Sequence, residues 1–202
     1  MPKIKLFSGM DFSGKTTIIN GINNKIPSTF KIKKKFLTPI DLIENVRKMD
    51  TWLSPEEWKP LLQKNIQMDI DNYKEDGLVL LDSLWIIKYL AGKIEKGDKE
   101  DEEEICILKE LLKKYPQMDS FYITVSMEER IKRFYERSKL GEEITGADKL
   151  IMDVKKFEER EKNYKKIVLE TFPNTKIIDT TNISLKETIE LIINDKNFVK
   201  DM

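Results

Sequence analysis

The sequence has no histidine in 202 residues, a single cysteine, and no net charge, because 36 acidic residues cancel 36 basic ones. Without histidine there is no Ser-His-Asp or Cys-His catalysis and no histidine-ligated metal, so any proton transfer falls to Asp, Glu, Lys or Tyr. One cysteine excludes an internal disulfide and a multi-cysteine zinc site. Within Ile105-Cys106-Ile107-Leu108 it reads as a buried thiol rather than a reactive one. Balanced charge gives no electrostatic case for nucleic acid or an anionic membrane as a partner. The apolar runs are too short to span a bilayer, and the first residues lack a secretory apolar region, so a reduced, cytoplasmic location is expected. No internal repeat or low-complexity linker appears. A hydrophobic content of 40% suffices for one core, and residues 1–202 read as a single domain with at most a modest insertion.

What is present is a phosphate-binding signature. Gly9-Met10-Asp11-Phe12-Ser13-Gly14-Lys15-Thr16 fits the P-loop pattern Gly-x-x-x-x-Gly-Lys-[Ser/Thr]. It follows the short apolar strand Ile4-Lys5-Leu6-Phe7-Ser8 and precedes Thr17-Ile18-Ile19-Asn20-Gly21-Ile22, which has the spacing of a buried helix. Gly9 and Gly14 let the backbone curl so that successive N–H groups, with Ser13 and Thr17 beside them, face one anion at a helix N-terminus. Lys15 reaches the β- and γ-phosphates in such a loop, and the Thr16 hydroxyl takes a place on Mg²⁺. The chain is expected to bind a nucleoside triphosphate. Phosphoryl transfer depends mostly on positioning and charge neutralisation, so the absence of histidine does not obstruct it.

Four further β-rich runs follow: Phe30–Leu37, Leu78–Asp82, Ser120–Val125 and Lys176–Thr180. Helical patterns cover Lys15–Asn24, Leu42–Lys48, Pro55–Glu75, Leu84–Glu95, Glu102–Lys114, Met127–Leu140, Lys149–Thr171 and Leu185–Ile193. Ser126 with Glu129, and Ser184 with Glu187, have capping-box spacing. The acidic block Asp98–Glu104 suits a helix N-terminus as a solvated cap. Alternation of strands and helices predicts a three-layer α/β/α fold with a five-stranded parallel sheet, and ligands bind such sheets at the carboxyl ends of the strands.

Asp82 ends an apolar strand and is a candidate for Mg²⁺ or a magnesium-bound water, with acceptor contact or a plain strand-end turn as the other readings. Asp11, inside the loop, would be repelled by phosphates unless it points away. It is read as a contact to an acceptor hydroxyl, with metal binding or solvent exposure as alternatives. Arg130, Lys132, Arg133, Arg137 and Lys139 run into the polar stretch Gly141–Gly146, which together suggest a small helical lid at about 133–150. Arg133 and Arg137, one turn apart, are the candidates to stabilise the transferring phosphoryl, against a merely solvated helix face. Arg160 is a weaker candidate for that role, since Glu158, Glu159 and Glu161 can satisfy it at the surface. Thr181 and Asn182 lie where a loop after the last strand would meet a purine base, or would serve only turn and cap chemistry.

In this order the features resemble the thymidylate kinase branch of the P-loop nucleoside and nucleotide kinases. The loop through Thr17, the strand ending at Asp82, the basic lid, Ile178-Asp179-Thr180-Thr181-Asn182 and the segment Lys155–Arg160 with Tyr164 carry the resemblance over nearly the whole chain. It implies ATP as donor, Mg²⁺, a nucleotide-like small-molecule acceptor, contact of Asp11 with the acceptor's sugar hydroxyl, and pairing of two copies through helices. Two positions depart from it. The family has Asp-Arg after the third strand where this chain has Asp82-Ser83, and Thr-Arg-Glu-Pro after the second where it has Leu37-Thr38-Pro39-Ile40. Both changes remove arginines that grip the acceptor's phosphate. Trp58, Lys59, Gln63, Lys64 and Gln67 lie on the helix that would face the acceptor. A deoxynucleoside kinase, or a nucleotide-binding protein that has lost catalysis, are the alternatives. A GTP switch is disfavoured, because no glycine stands three residues after Asp82 and no Asn-Lys-x-Asp element occurs.

Overall fold

The computed structural model describes residues 3–26, 30–34, 55–72, 78–97, 102–141 and 148–199. The expected helix at Leu42–Lys48, the Leu37–Ile40 segment, the start of the acidic block and residues 142–147 of the expected lid lie outside them. The order is β1 (Lys3–Ser8), α1 (Lys15–Lys25), β2 (Phe30–Lys34), α2 (Pro55–Asn72), β3 (Leu78–Asp82), α3 (Trp85–Lys96), α4 (Glu102–Leu112), β4 (Asp119–Thr124), α5 (Met127–Lys139), α6 (Val154–Thr171), β5 (Lys176–Asp179), α7 (Leu185–Ile193) and a short α8 (Lys196–Val199).

The strands pair in the order β2-β3-β1-β4-β5, every pair parallel. Strand alternation sorts the side chains onto two faces. Ile4, Leu6, Val79, Leu81 and Tyr122 enter a core shared with α2, α3, α4 and α6. Phe7, Leu80, Phe121, Ile123 and Ile178 enter a second core with Ile18, Ile19 and Ile22 of α1 and Ile189, Ile192 and Ile193 of α7. Helices therefore cover both faces, which explains why the central strands read as continuous apolar runs rather than alternating ones.

One central position breaks that apolar run. Lys5 is fully buried in β1. Its ammonium pairs with Asp119 at 2.7 Å and lies 5.7 Å from the Phe198 ring centroid on α8. A buried ammonium persists only when such partners replace its water.

Three local expectations are corrected. The expected Lys149–Thr171 helix is split into a 3-10 turn, Asp148–Met152, and α6, because Asp153 caps α6 by accepting from the Lys156 N–H at 3.2 Å. At Ser184 the capping box is complete, with Glu187 reaching back to the Ser184 N–H at 2.8 Å. At Ser126 only half forms, since the Glu129 carboxylate instead accepts from Arg133 one turn on at 3.1 Å. Cys106 is exposed, not buried. Leu108, Leu111 and Leu112 are the buried positions of α4 and Ile105 packs beside them, so helical rotation turns Cys106 to solvent.

Candidate functional site

The loop between β1 and α1 leaves the sheet at the carboxyl end of β1, beside the end of β3, as expected for a ligand site in a parallel sheet. Its course needs glycine at Gly9, where φ is 142° and an added Cβ would stand 2.2 Å from the Ile123 carbonyl oxygen. Gly14, at φ 91°, precedes the first turn of α1. Phe12 takes a left-handed φ of 61° without being glycine. That strain is offset by packing: its ring meets Phe134 edge-on at 5.6 Å, and the Arg137 guanidinium lies 6.0 Å from its centroid.

Cations fix the loop from within and from α5. Lys15 Nζ donates to the Met10 carbonyl at 3.0 Å and to Ser13 Oγ at 3.3 Å. Arg130 Nη1 donates to the Asp11 carbonyl at 2.8 Å, and Arg133 Nη1 to the Phe12 carbonyl at 3.1 Å. Three consecutive carbonyls thus each accept from a cation, which leaves the loop's N–H groups to face an anion. Burial lowers the Lys15 ammonium from 10.5 to about 8; Asp11 and Asp82 oppose that fall, while Lys88 and Arg130 add to it.

Across the loop, Thr16 Oγ1 donates to Asp82 Oδ2 at 2.6 Å. Immediately after Asp82, Ser83 takes φ 67° and sends its N–H back to the Phe7 carbonyl at 3.0 Å. This turn ties the end of β3 to β1 and presents Asp82 to the P-loop. Among the described residues no group of three or more His, Cys, Asp or Glu could hold a metal by itself. A P-loop magnesium needs no such group, because phosphate oxygens and water supply most of its shell. The Thr16 hydroxyl and Asp82 carboxylate fit that requirement.

A cavity of about 270 Å³ opens beside the loop, lined by Ser13, Gly14, Thr17, Arg133, Thr180 and Ile183 among others. Of the expected base contacts, Thr181 is committed elsewhere. Its hydroxyl donates to Asp179 at 2.6 Å and accepts from the Ser126 N–H at 2.8 Å. Hydrogen bonds from Thr181 hold the Asp179 carboxyl below its ordinary value. Asn182 is exposed, and from this segment Thr180 and Ile183 line the cavity.

Of the paired arginines, Arg133 reaches the loop backbone, whereas Arg137 stacks on Phe12 and lies 3.7 Å from Asp148 at the far side of the expected lid. Three charged side chains have partners that the sequence did not indicate. Arg130 is fully buried, paired with Glu161 of α6 and bonded to the Val125 carbonyl at 3.2 Å, and so belongs to the frame of the site. Burial lowers its pKa, and Glu161 opposes that fall. Arg160 is satisfied by Glu95 of α3 and not by its glutamate neighbours. Lys88 of α3 holds Asp11. On α2, Gln63, Lys64 and Gln67 are exposed and Gln67 donates to Asp71 at 3.0 Å; the side chains of Trp58 and Lys59 lie outside the described residues.

Solved structures share this fold. Thymidylate kinase from Candida albicans superposes with a TM-score of 0.68 at 20% identity, over 98% of this chain and 93% of that one. The chain has the fold of the nucleotide kinases. Deoxyadenosine kinase from M. mycoides, solved with bound dATP, matches at TM-score 0.60 and 17% identity, covering 95% of this chain and 97% of that one. Thymidylate kinase from Ehrlichia chaffeensis matches at TM-score 0.54 and 16% identity, covering 94% and 95%. No protein-family model and no curated protein matches the sequence. Among the described residues no helix is long and apolar enough to cross a membrane.

Proposed function

We propose that the protein is an ATP-dependent kinase that phosphorylates a nucleotide-like small molecule. The observation that carries this reading is the convergence of Lys15, Thr16 and Asp82 at the ends of β1 and β3, with Arg133 over the same loop. The phosphates of ATP would lie against the backbone of Gly9–Thr17, with the base in the cavity toward Thr180 and Ile183. Lys15 would exchange its donation to Met10 for the β- and γ-phosphates. Arg133, and Arg137 as the lid closes, would supply positive charge to the transferring group. Magnesium, held by Thr16 and Asp82, would neutralise phosphate charge as it does in other P-loop enzymes. The acceptor oxygen forms its bond to the γ-phosphorus as the bridging bond to ADP breaks, and the acceptor's proton passes to phosphate oxygen or solvent.

A nucleoside acceptor is the second reading, and Ser83 favours it. The residue after Asp82 is a buried serine with its hydroxyl turned toward the Phe7 carbonyl, so no cation extends from that position to grip an acceptor phosphate. ADP release from Mg-ATP across nucleosides and nucleoside monophosphates, with Lys15→Ala as control, tests both readings. Turnover that depends on one acceptor and vanishes in Lys15→Ala establishes the kinase and selects the acceptor class. Tight ATP binding without turnover for any acceptor overturns the kinase reading and leaves a nucleotide-binding protein.

A further inference from the structure

Tyr164 of α6 carries a hydroxyl that its packing does not call for. The ring is fully buried in the core and lies 6.2 Å from the Tyr122 ring, a place that phenylalanine would fill as well. The hydroxyl has left water without gaining an aligned hydrogen bond among the described residues, and the same holds for Ser8 Oγ at the end of β1. Burial pushes the Tyr164 pKa up to about 12, and the neighbouring Ser8 and Ser83 hydroxyls and the Gly9 backbone oppose that rise. Ser83 Oγ has only long contacts of its own, 3.4 Å to the Phe7 carbonyl and 3.4 Å to Asp82 Oδ1. Three hydroxyls, from β1, α6 and the turn after β3, thus converge beside Gly9 and Asp82 with no well-formed bond among them.

We propose that Tyr164 is a positioning residue whose hydroxyl braces the Ser83 turn, and through it the Asp82 carboxylate, for magnesium and nucleotide. The inference rests on the nucleotide-binding half of the reading above. The direction of Asp82 is set in front by Thr16, at 2.6 Å, and behind by the turn that carries it. That turn is a left-handed serine, φ 67°, which keeps its backbone only while its surroundings hold it. The Ser83 N–H to the Phe7 carbonyl, at 3.0 Å, is one hold. The Tyr164 oxygen is the second, acting by contact rather than by a formed bond, and its deletion opens a gap beside Ser83. One turn earlier on α6, Glu161 pairs with Arg130, which holds the Asp11 carbonyl. A single helix therefore braces both the phosphate loop and the carboxylate beside it.

The test compares the full chain with Tyr164→Phe and Ser83→Ala. Calorimetry reads ATP binding across Mg²⁺ concentrations and in EDTA, and urea unfolding reads stability. Tyr164→Phe is expected to keep or exceed the wild-type urea midpoint, since the hydroxyl it removes has no aligned bond. The Mg²⁺ concentration that half-saturates ATP binding is expected to rise by about tenfold, the lower end of what losing a metal site's outer partner costs. Affinity for ATP in EDTA stays unchanged. Ser83→Ala raises the Mg²⁺ requirement in the same sense. In an Asp82→Asn background Tyr164→Phe adds nothing, because it acts through that carboxylate. An unchanged Mg²⁺ requirement in Tyr164→Phe, or a full further rise in the double variant, overturns the proposal. So does a lowered urea midpoint with ATP weakened equally with and without Mg²⁺, the pattern of a merely structural hydroxyl. A wild type that binds Mg-ATP but phosphorylates no acceptor overturns the kinase reading alone, and the binding assay still decides the role of Tyr164. Failure of the wild type to bind ATP overturns both.

Discussion

Thr16 and Asp82, 66 residues apart, meet through a hydrogen bond of 2.6 Å between the first turn of α1 and the end of β3. Both offer side-chain oxygens beside the loop, Thr16 from a helix and Asp82 from a strand end. Asp82→Asn removes the charge and keeps the shape. The Mg²⁺ concentration for half-maximal ATP turnover is expected to rise by about tenfold or more, with the fold intact by circular dichroism. A magnesium titration of the two proteins reads this directly, and an unchanged requirement would place the metal elsewhere.

Gly9 makes a backbone demand that no other residue meets. Its φ of 142° combines with a Cβ position 2.2 Å from the Ile123 carbonyl oxygen, which belongs to β4 and cannot rotate away. Gly9→Ala is expected to destabilise the protein by about 3 kcal/mol, strain and clash together. Urea unfolding of the two proteins measures it. Because the strand must shift to accept the methyl group, ATP affinity should fall in parallel.

The parts of this architecture that were legible in the sequence are those written in neighbouring residues. The loop from Gly9 to Thr16, the carboxylate closing β3 and the reciprocal cap of Ser184 and Glu187 all lie within short segments whose chemistry is local. The parts that were not legible depend on which elements cross. Lys88 meets Asp11 across 77 positions and Arg160 meets Glu95 across 65, so neither pairing has a sequence signal. Arg160 illustrates the limit: glutamates stand on either side of it, yet α6 packs against α3 and the partner comes from there. Cys106 differs, because helical periodicity did contain the answer. Reading Ile105–Leu108 as one apolar run hid a rotation of 100° per residue that places the thiol opposite Leu108 and Leu112.

Lys15 titrates in an accessible range. Burial lowers its pKa to about 8 from 10.5 in the unfolded chain. Between those values the unfolded state binds the proton and the folded state does not, so this group makes the ligand-free protein more stable as pH rises from about 8 to 10.5. Lys15→Met should lose that increment, as read by urea unfolding of ligand-free protein across the range. Phosphates favour the charged form, so above pH 8 ATP binding should take up a proton. Calorimetry in two buffers of different ionisation enthalpy detects that uptake, and it should vanish in Lys15→Met.

Arg130 and Arg133 stand three residues apart on α5 and touch adjacent loop carbonyls, yet they should fail differently. Arg130 is fully buried, with its guanidinium shared between Glu161, the Asp11 and Val125 carbonyls and the Phe157 ring. Arg130→Met strands the Glu161 carboxylate against Tyr122, whose phenol is already pushed up by burial and by that same carboxylate. A stability loss of about 3–5 kcal/mol is expected. Arg133 keeps solvent contact at the rim of the cavity and bonds to Phe12 and to Glu129. Its removal leaves no buried charge alone, so Arg133→Ala should unfold within about 1 kcal/mol of wild type. The same change should lower kcat by about 100-fold or more, if its charge meets the transferring phosphoryl. Urea curves and single-turnover rates on both variants separate the two roles. An Arg133→Ala protein with full kcat would assign the charge to Arg137.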